Sequence, residues 1–218
     1  MDAAKGTRLK RLDFPITLAI ALAGIATTAV VFAHPGVRDA LIADDRVFAG
    51  QGWRLVTTSF VHATWGHLIR DLALIGLVGI AYEAVLPRWL FGLGLVVPVA
   101  AELLAHRLAW YCGLSGLSHA LLAAALTYEA VRRRRLWIFV VCAIAFAKPL
   151  YELVTGASAF PMDLGAHVTN TPIAHAAGVA IGIISGARAA RSSSSARASA
   201  RRSVRRSSRA EATRGDTA

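Results

Sequence analysis

The stretch GLSGLSHALLAAALTYEA, residues 113–130, begins with a serine between two glycines and continues as an apolar run. Its length and composition indicate a buried helix, with Ser115 at the N-terminal end of that helix. Polar side chains within a membrane helix are rare and usually face a bundle interior or a water-filled cavity. Taken alone, the quartet Gly113-Leu114-Ser115-Gly116 is more typical of an N-cap serine with glycines for packing than of a nucleophile. The rest of the chain decides between these interpretations.

Further apolar runs lie on both sides of this one. The chain has 218 residues, is 56% hydrophobic, and its runs are long and evenly spaced. This pattern predicts an all-α polytopic membrane protein, a bundle of six transmembrane helices. The predicted spans cover residues 14–33, 65–85, 89–105, 114–130, 136–153 and 172–184. The first run is longer than the apolar core of a signal peptide, so we expect it to be retained.

The net charge of +11 follows the predicted topology. Lysines and arginines lie before the first span, between the second and third, between the fourth and fifth, and after the sixth. Because basic residues accumulate in cytoplasmic segments, both termini are predicted to be cytoplasmic. Topology explains the charge better than nucleic-acid binding does, and no nucleic-acid partner is expected.

The chain divides into three predicted segments. Residues 1–11 form a basic cytoplasmic N-terminus, residues 12–186 the membrane domain, and residues 187–218 a tail of serine, alanine and arginine. The tail has almost no bulky apolar residues, so it is predicted to be disordered. Its arginines either rest on anionic lipid or remain solvated. Cys112 and Cys142 lie at different predicted depths, so no disulfide is expected.

A first group of polar residues lies at the entry to the second span. It comprises His62, His67 and Asp71, of which the last two are four residues apart and share one face of a helix. Such residues either cap the helix and hold the bundle together or form part of a site. The neighbouring Arg70 could pair with a lipid headgroup or an acidic side chain.

Ser115 itself is predicted in the first turn of the fourth span. Backbone N–H groups there lack helical acceptors and the helix dipole is positive, which are the elements of an oxyanion hole. Gly113 and Gly116 allow another backbone or a substrate to approach closely. His119 lies four residues after Ser115 on the same face and could act as its base. Otherwise it could bond His67 or Asp71 across the bundle.

A histidine and a stripe of glycines mark the sixth span. His175 is followed by Gly178, Gly182 and Gly186, and all four fall on one helical stripe. Small residues on a stripe allow close helix packing, and the fourth span has a matching small-residue surface. If these two helices touch, His175 reaches Ser115, and a serine beside a histidine is an activated nucleophile. A lone histidine at this depth could instead bond a backbone carbonyl.

Three motifs, in order along the chain, resemble those of the rhomboid intramembrane serine proteases. They are HATWGHLIRD at 62–71, GLSG at 113–116 and AHAAG at 174–178, and the resemblance covers residues 53–186. Within that family the chain is most similar to the rhombosortase branch. The compact six-helix layout, the segment WRLVT at 53–57 and His119 four residues after the serine carry this narrower resemblance.

The resemblance implies a rhomboid-like six-helix bundle and a catalytic or supporting role for each of several residues. Ser115 would attack a peptide carbonyl, and His175 would act first as general base and then as general acid. His67, the side chain of Asp71 and the backbone N–H of Ser115 would stabilise the oxyanion. The residues that would support them are His62, Gly113, Gly116, His119, Gly178 and Gly182.

The resemblance also implies a substrate class and a location. Rhombosortase-like enzymes are expected to remove a C-terminal anchor, a Gly-Gly motif followed by an apolar helix and basic residues, from exported proteins. The expected partners are therefore membrane-anchored proteins and the lipid bilayer. The expected location is the bacterial cytoplasmic (inner) membrane, with the active site opening to the periplasmic or extracellular side. No cofactor or metal is expected.

One position departs from the family pattern. The family usually has asparagine where this chain has Asp71, and an ionised carboxylate repels an oxyanion that an amide would stabilise. Asp71 can help only if protonated, which burial would favour. Otherwise it pairs with Arg70 or orients His67. Loss of one oxyanion donor costs about 10²–10³ in rate, so reduced activity or an unusual pH dependence is predicted.

Two other functions compete with the protease. A catalytically inactive rhomboid-like protein would bind membrane helices, and Asp71 favours it while Ser115 and His175 oppose it. A metal or proton transporter would use the intramembrane histidines together with Asp71. The chain has no HExxH zinc motif, and metal ligands prefer close spacing, which weighs against the transporter.

Overall fold

The computed structural model describes residues 14–106, 110–156, 159 and 171–215. In these ranges the regular structure is helical, apart from an isolated antiparallel bridge between Ala43 and Tyr111. The α-helices are α1 Pro15–Ala33, α2 Pro35–Leu41, α3 Arg54–Thr57, α4 Trp65–Tyr82, α5 Trp89–His106, α6 Ser115–Arg133, α7 Leu136–Thr155 and α8 Pro172–Gly215. Short 3₁₀ turns at Asp45–Val47 and Thr58–Phe60 complete the connection between α2 and α4.

A long helix lies at each of the six positions where the sequence predicts a membrane span. Four helical segments in the described residues are long and apolar enough to cross a membrane: Pro15–Ala33, Trp65–Tyr82, Leu136–Thr155 and Pro172–Ser195. The apolar stretch Trp89–Ala105 is shorter. The chain is therefore an all-helical, multi-pass membrane protein. The count of six spans and the cytoplasmic termini stay predictions.

α6 is the central helix of the bundle, and α8 packs tightly against it. A Cβ atom added to Gly178, Gly182 or Gly186 of α8 would collide with the backbone carbonyl oxygens of α6. The carbonyls concerned belong to Gly116, Ala120 and Ala124. The close approach predicted from the glycine stripe is confirmed, since only residues without a side chain fit at this separation.

The C-terminal segment forms part of α8, and the domain end at residue 186 and the disorder of the tail stay predictions. α8 continues through it to Gly215, while residues 216–218 lie outside the described part of the chain. Ala189 and Ala190 are buried in the same apolar core as α6. Alanine and arginine are strong helix formers, and packing of this alanine pair carries the helix past the predicted domain end.

The connection between α1 and α4 positions the chain just before α6. The buried Arg54 donates hydrogen bonds to the carbonyls of Asp39 and Ile42, at 2.7 Å each. The buried Thr58 hydroxyl donates to the carbonyl of Tyr111, and the Thr58 carbonyl accepts from Gly113 N at 3.2 Å. The segment that leads into Ser115 is therefore held by the connection rather than left as a free loop.

The segment before Ser115 also contains two titratable groups outside the helices, the buried Tyr111 and the half-buried Cys112. Burial raises the pKa of the Tyr111 phenol and raises that of the Cys112 thiol to about 12. Both side chains are therefore neutral near pH 7. Cys112 and Cys142 are free thiols.

Candidate active site

Ser115 is the first residue of α6, and His175 lies in the first turn of α8. Ser115 Oγ is 3.1 Å from His175 Nε2, a hydrogen-bond distance. The histidine is buried, with 5% of its surface exposed. The glycine contacts between α6 and α8 bring the two side chains to the same depth, as the sequence predicts. Their catalytic roles stay a proposal.

The other ring nitrogen of His175 contacts a residue that sequence reasoning missed. His175 Nδ1 is 2.9 Å from Oε2 of Glu152 on α7, whose side chain is fully buried. The sequence carried a usable signal, because Lys148 and Glu152 stand four residues apart inside an otherwise apolar span. Ionisable residues at membrane depth are a functional hypothesis by default.

Lys148 links Glu152 to His119. Its ammonium group lies 2.9 Å from the Glu152 carboxylate and 3.4 Å from His119 Nε2. His119 Nδ1 is in turn 2.7 Å from the backbone carbonyl of Ser115. Five hydrogen-bonded residues therefore form a ring that starts and ends at Ser115.

His119 stacks on His175. The two rings have centroids 4.2 Å apart and planes 17° apart. Because both His119 nitrogens already face the Ser115 carbonyl and Lys148, the ring does not present a free nitrogen to Ser115 Oγ. In the structure, His119 contacts His175 and Lys148. The sequence-based alternative, a bond from His119 to His67 or Asp71, is therefore not the arrangement observed.

Asp71 faces the backbone of the residue before Ser115. Its Oδ2 accepts a hydrogen bond from Leu114 N at 3.0 Å, and it lies 3.4 Å from His62 Nε2 and 3.5 Å from His67 Nε2. Asp71 is therefore an acceptor in this arrangement, next to His67 rather than Arg70. A direct role in binding an oxyanion requires a donor and stays a prediction.

His62 and His67 form a buried pair beside Asp71. Their rings meet edge to face with centroids 5.1 Å apart, and His62 Nδ1 is 3.2 Å from the hydroxyl of Thr28 on α1. Among the described residues, His67 Nδ1 is a buried polar atom without a hydrogen-bond partner. Such an atom is free to contact a bound group.

The two glycines that flank Leu114 and Ser115 are required by geometry. Gly113 has φ of +108°, and a Cβ there would come within 2.7 Å of the His67 ring. A Cβ at Gly116 would overlap Pro98 of α5. The GLSG quartet therefore lets α4, α5 and α6 come into contact around the serine. This observation fits glycines that serve helix packing and equally a serine that belongs to a functional site.

The arrangement combines a serine, a base and N–H groups at the start of a helix. The first-turn amides of α6, including that of Ser115, have no acceptor within the helix. In the described part of the chain, histidine, cysteine, aspartate and glutamate form no group of three able to hold a metal ion. A serine beside a histidine, with N–H groups at the start of a helix nearby, is the combination of groups that nucleophilic acyl transfer uses.

Comparison with known proteins agrees with these motifs. The Rhomboid domain family matches residues 49–192, which includes α4 to the middle of α8 and every residue of the site. No curated protein is similar enough to the chain to match it.

Proposed function

The chain belongs to the rhomboid family, and we propose that it is an intramembrane serine endopeptidase. Ser115 is the nucleophile and His175 the general base. The observation that carries this proposal is the 3.1 Å distance between Ser115 Oγ, which is partly buried, and Nε2 of the buried His175. A serine hydroxyl is weakly nucleophilic until an adjacent base accepts its proton.

The proposed reaction has two halves. Ser115 Oγ bonds to the peptide carbonyl carbon while its proton moves to His175 Nε2, and the carbonyl oxygen becomes an oxyanion. The C–N bond then breaks, the nitrogen takes the proton from His175, and an acyl-enzyme remains. Water, deprotonated by His175, attacks the acyl carbon, and Ser115 leaves with the proton returned to it.

The oxyanion is stabilised in this proposal by the Ser115 N–H and by His67. The amide lies at the positive end of the α6 dipole. The His67 ring packs against Gly113, two residues from the nucleophile, and its partner-free Nδ1 donates to the oxyanion only when that nitrogen carries a proton. Donors held in place before the charge develops contribute more than donors that must reorient.

Membrane proteins are the substrates that the family implies. We extend this to a C-terminal transmembrane anchor that begins with Gly-Gly. The segment at 53–57 and the position of His119, both similar to rhombosortases, support this extension. Helical substrates must unwind locally to reach the serine, and glycine lowers helix stability by about 1 kcal/mol per residue relative to alanine. A Gly-Gly pair at the end of an anchor helix thus favours cleavage there.

The proposed location is the bacterial cytoplasmic membrane, with the site near the outer surface. The distribution of basic residues, with the arginines at 132–135 at the opposite end of α6 from Ser115, supports this orientation.

The test compares Ser115→Ala with the wild-type protein, each co-expressed with a tagged membrane-anchored substrate ending in Gly-Gly, an apolar helix and arginines. The matched control is Ser185→Ala, which removes a serine of α8 whose hydroxyl donates to the carbonyl of Ile181 at 2.7 Å. We expect Ser115→Ala to abolish processing and Ser185→Ala to retain it. Equal processing by wild type and Ser115→Ala would exclude the protease.

A catalytically inactive helix-binding protein is the second candidate. The observation that favours it is the carboxylate of Asp71, an acceptor, at the position beside His67. If the protein has this second function, both the wild-type protein and Ser115→Ala bind membrane segments and neither of them cleaves these segments. Co-purification of an intact tagged substrate with both forms separates the two functions.

A further inference from the structure

We infer that Glu152 is the third member of a Ser115–His175–Glu152 triad, in which its carboxylate holds the His175 ring in the orientation that accepts the serine proton. This inference rests on the proposed protease function and adds to it a residue from α7. Glu152 touches neither substrate nor the reacting atoms in this arrangement, so it is a positioning residue.

The distances determine how the protons are arranged. Glu152 Oε2 lies 2.9 Å from His175 Nδ1, and an ionised carboxylate can only accept. The proton of neutral His175 is therefore on Nδ1. This leaves the lone pair of Nε2 facing Ser115 Oγ at 3.1 Å, which is the tautomer that a general base requires.

Lys148 keeps the carboxylate ionised and in place. The ammonium group is 2.9 Å from each carboxylate oxygen, and the backbone N of Ala159 lies 3.3 Å from Oε1. A carboxylate that is fully buried in a bundle is retained only when it is paired and hydrogen-bonded. Both conditions are met by groups on the same helix and the segment that follows it.

The same ammonium group determines the tautomer of His119. Because Lys148 only donates, His119 Nε2 accepts from it and His119 Nδ1 carries the proton. That N–H donates to the carbonyl of Ser115 at 2.7 Å. His119 is therefore neutral, and its ring stacks on His175 and limits the ring's rotation.

The carboxylate also acts during the reaction. When His175 accepts the Ser115 proton it becomes an imidazolium, and its positive charge then lies 2.9 Å from Glu152 Oε2. The carboxylate stabilises this charge without taking the proton. The interaction is stronger in the transition state than in the resting enzyme, so it lowers the barrier for the chemical step.

The test is Glu152→Gln, assayed in detergent or lipid for kcat, KM and thermal stability. We expect kcat to fall about 10²–10⁴-fold, because an amide lacks the charge and its NH₂ group favours the wrong tautomer. KM is expected to stay within about twofold, because substrate binding does not use Glu152. The conservative variant Glu152→Asp keeps the charge and is expected to recover part of the lost kcat.

The matched control is Glu83→Gln, another buried glutamate. Glu83 accepts from Ile16 N and Thr17 N at 2.7 Å each, at the start of α1 and away from Ser115. We expect this variant to lower thermal stability and leave the kcat of the folded enzyme unchanged. A purely structural role for Glu152 predicts the same behaviour for Glu152→Gln, and that result would overturn the triad.

A second measurement determines the tautomer of His175 in the wild-type protein. Solid-state ¹⁵N NMR of the histidine-labelled wild-type protein, with His175 assigned by comparison with His175→Ala, reports which ring nitrogen carries the proton. A proton on Nδ1 supports the triad, and one on Nε2 contradicts it. If only the triad proposal is wrong, Ser115→Ala is still inactive while the wild-type protein cleaves its substrate. If the proposed protease function is wrong, Ser115→Ala and the wild-type protein have the same activity, so the two failures are distinguishable.

Discussion

Gly178 of α8 lies directly against the backbone carbonyl of Gly116 in α6, closer than any residue with a side chain could approach. His175 is one helical turn before Gly178, and Ser115 immediately precedes Gly116. The contact between the two glycines therefore controls how far the histidine is from the serine.

Gly178→Ala tests this contact. The added methyl group pushes α8 away from α6, so we expect a loss of about 1–3 kcal/mol in unfolding free energy from overpacking. We also expect more than about a tenfold loss of kcat, since small misplacements of catalytic groups are costly. Proteolysis assays and thermal unfolding measure both effects.

Gly76→Ala is the matched control for that substitution. Gly76 lies within α4, and a Cβ placed there would meet no described atom within 4 Å apart from its chain neighbours and the adjacent backbone of its own helix. We expect unchanged kcat and a small gain in stability, about 0.5–1 kcal/mol, from the better helix former. Equal losses from both substitutions would show that the α6–α8 contact has no special role.

His119→Phe distinguishes the stacked His119 from His175, the proposed general base. The phenyl ring preserves the stack on His175 but removes the bonds to Lys148 and the Ser115 carbonyl. We expect a decrease in kcat smaller than the roughly 10²–10⁴-fold loss caused by removal of a general base. His175→Phe is expected to abolish measurable cleavage. If His119→Phe lowered kcat more than His175→Phe did, His119 would be identified as the base.

Asp71→Asn tests the departure from the family pattern. The amide oxygen can still accept from Leu114 N in the place of Oδ2, and the amide NH₂ adds a donor in the place of Oδ1. We expect kcat to increase by at most about 10²–10³-fold, which is the effect that one oxyanion donor has on the rate. A loss of activity would instead show that the enzyme needs the carboxylate.

Asp71→Ala is the companion variant. It leaves the buried N–H of Leu114 without its acceptor, which is expected to cost about 1–3 kcal/mol of stability. Chemical denaturation of the purified protein measures this loss, and unchanged stability would contradict the role of Asp71 in holding the segment before Ser115.

Thr58→Val tests how the α1–α4 connection supports the site. The fully buried hydroxyl donates to the Tyr111 carbonyl and accepts from Ala43 N at 3.0 Å. Its removal is expected to cost about 1–3 kcal/mol and to lower kcat, because the chain leading to Ser115 loosens. The control Thr57→Val removes one bond to the Leu41 carbonyl in a half-buried position and is expected to cost less. Thermal unfolding and cleavage rates are compared for the pair.

Much of the fold and of the site can be predicted from local patterns. Apolar run length predicts helices, and the helices occur where the runs are. The glycine spacing after His175 predicts close packing on α6, because periodicity in a helix places those residues on one face. The order of the three motifs identifies the family that the Rhomboid domain match independently assigns.

Other features depend on which side chains meet across the bundle. Glu152 is 23 residues from His175 and on a different helix, so no spacing rule connects them. The partner of Asp71 is a backbone N–H, 43 residues away, that only folding brings into reach. The extension of α8 beyond residue 186 depends on Ala189 and Ala190 being covered by neighbouring helices.

The sequence by itself determined the helices, the serine at the start of α6, and the glycine stripe that lets α8 approach it. Hydrophobic periodicity and backbone permissiveness are local properties, so they can be read along the chain. Only the tertiary structure decided that Glu152 faces His175, that His119 stacks rather than contacts the Ser115 hydroxyl, and that Asp71 accepts from Leu114. These are contacts between distant residues, and helix packing geometry selects them from the many that composition allows.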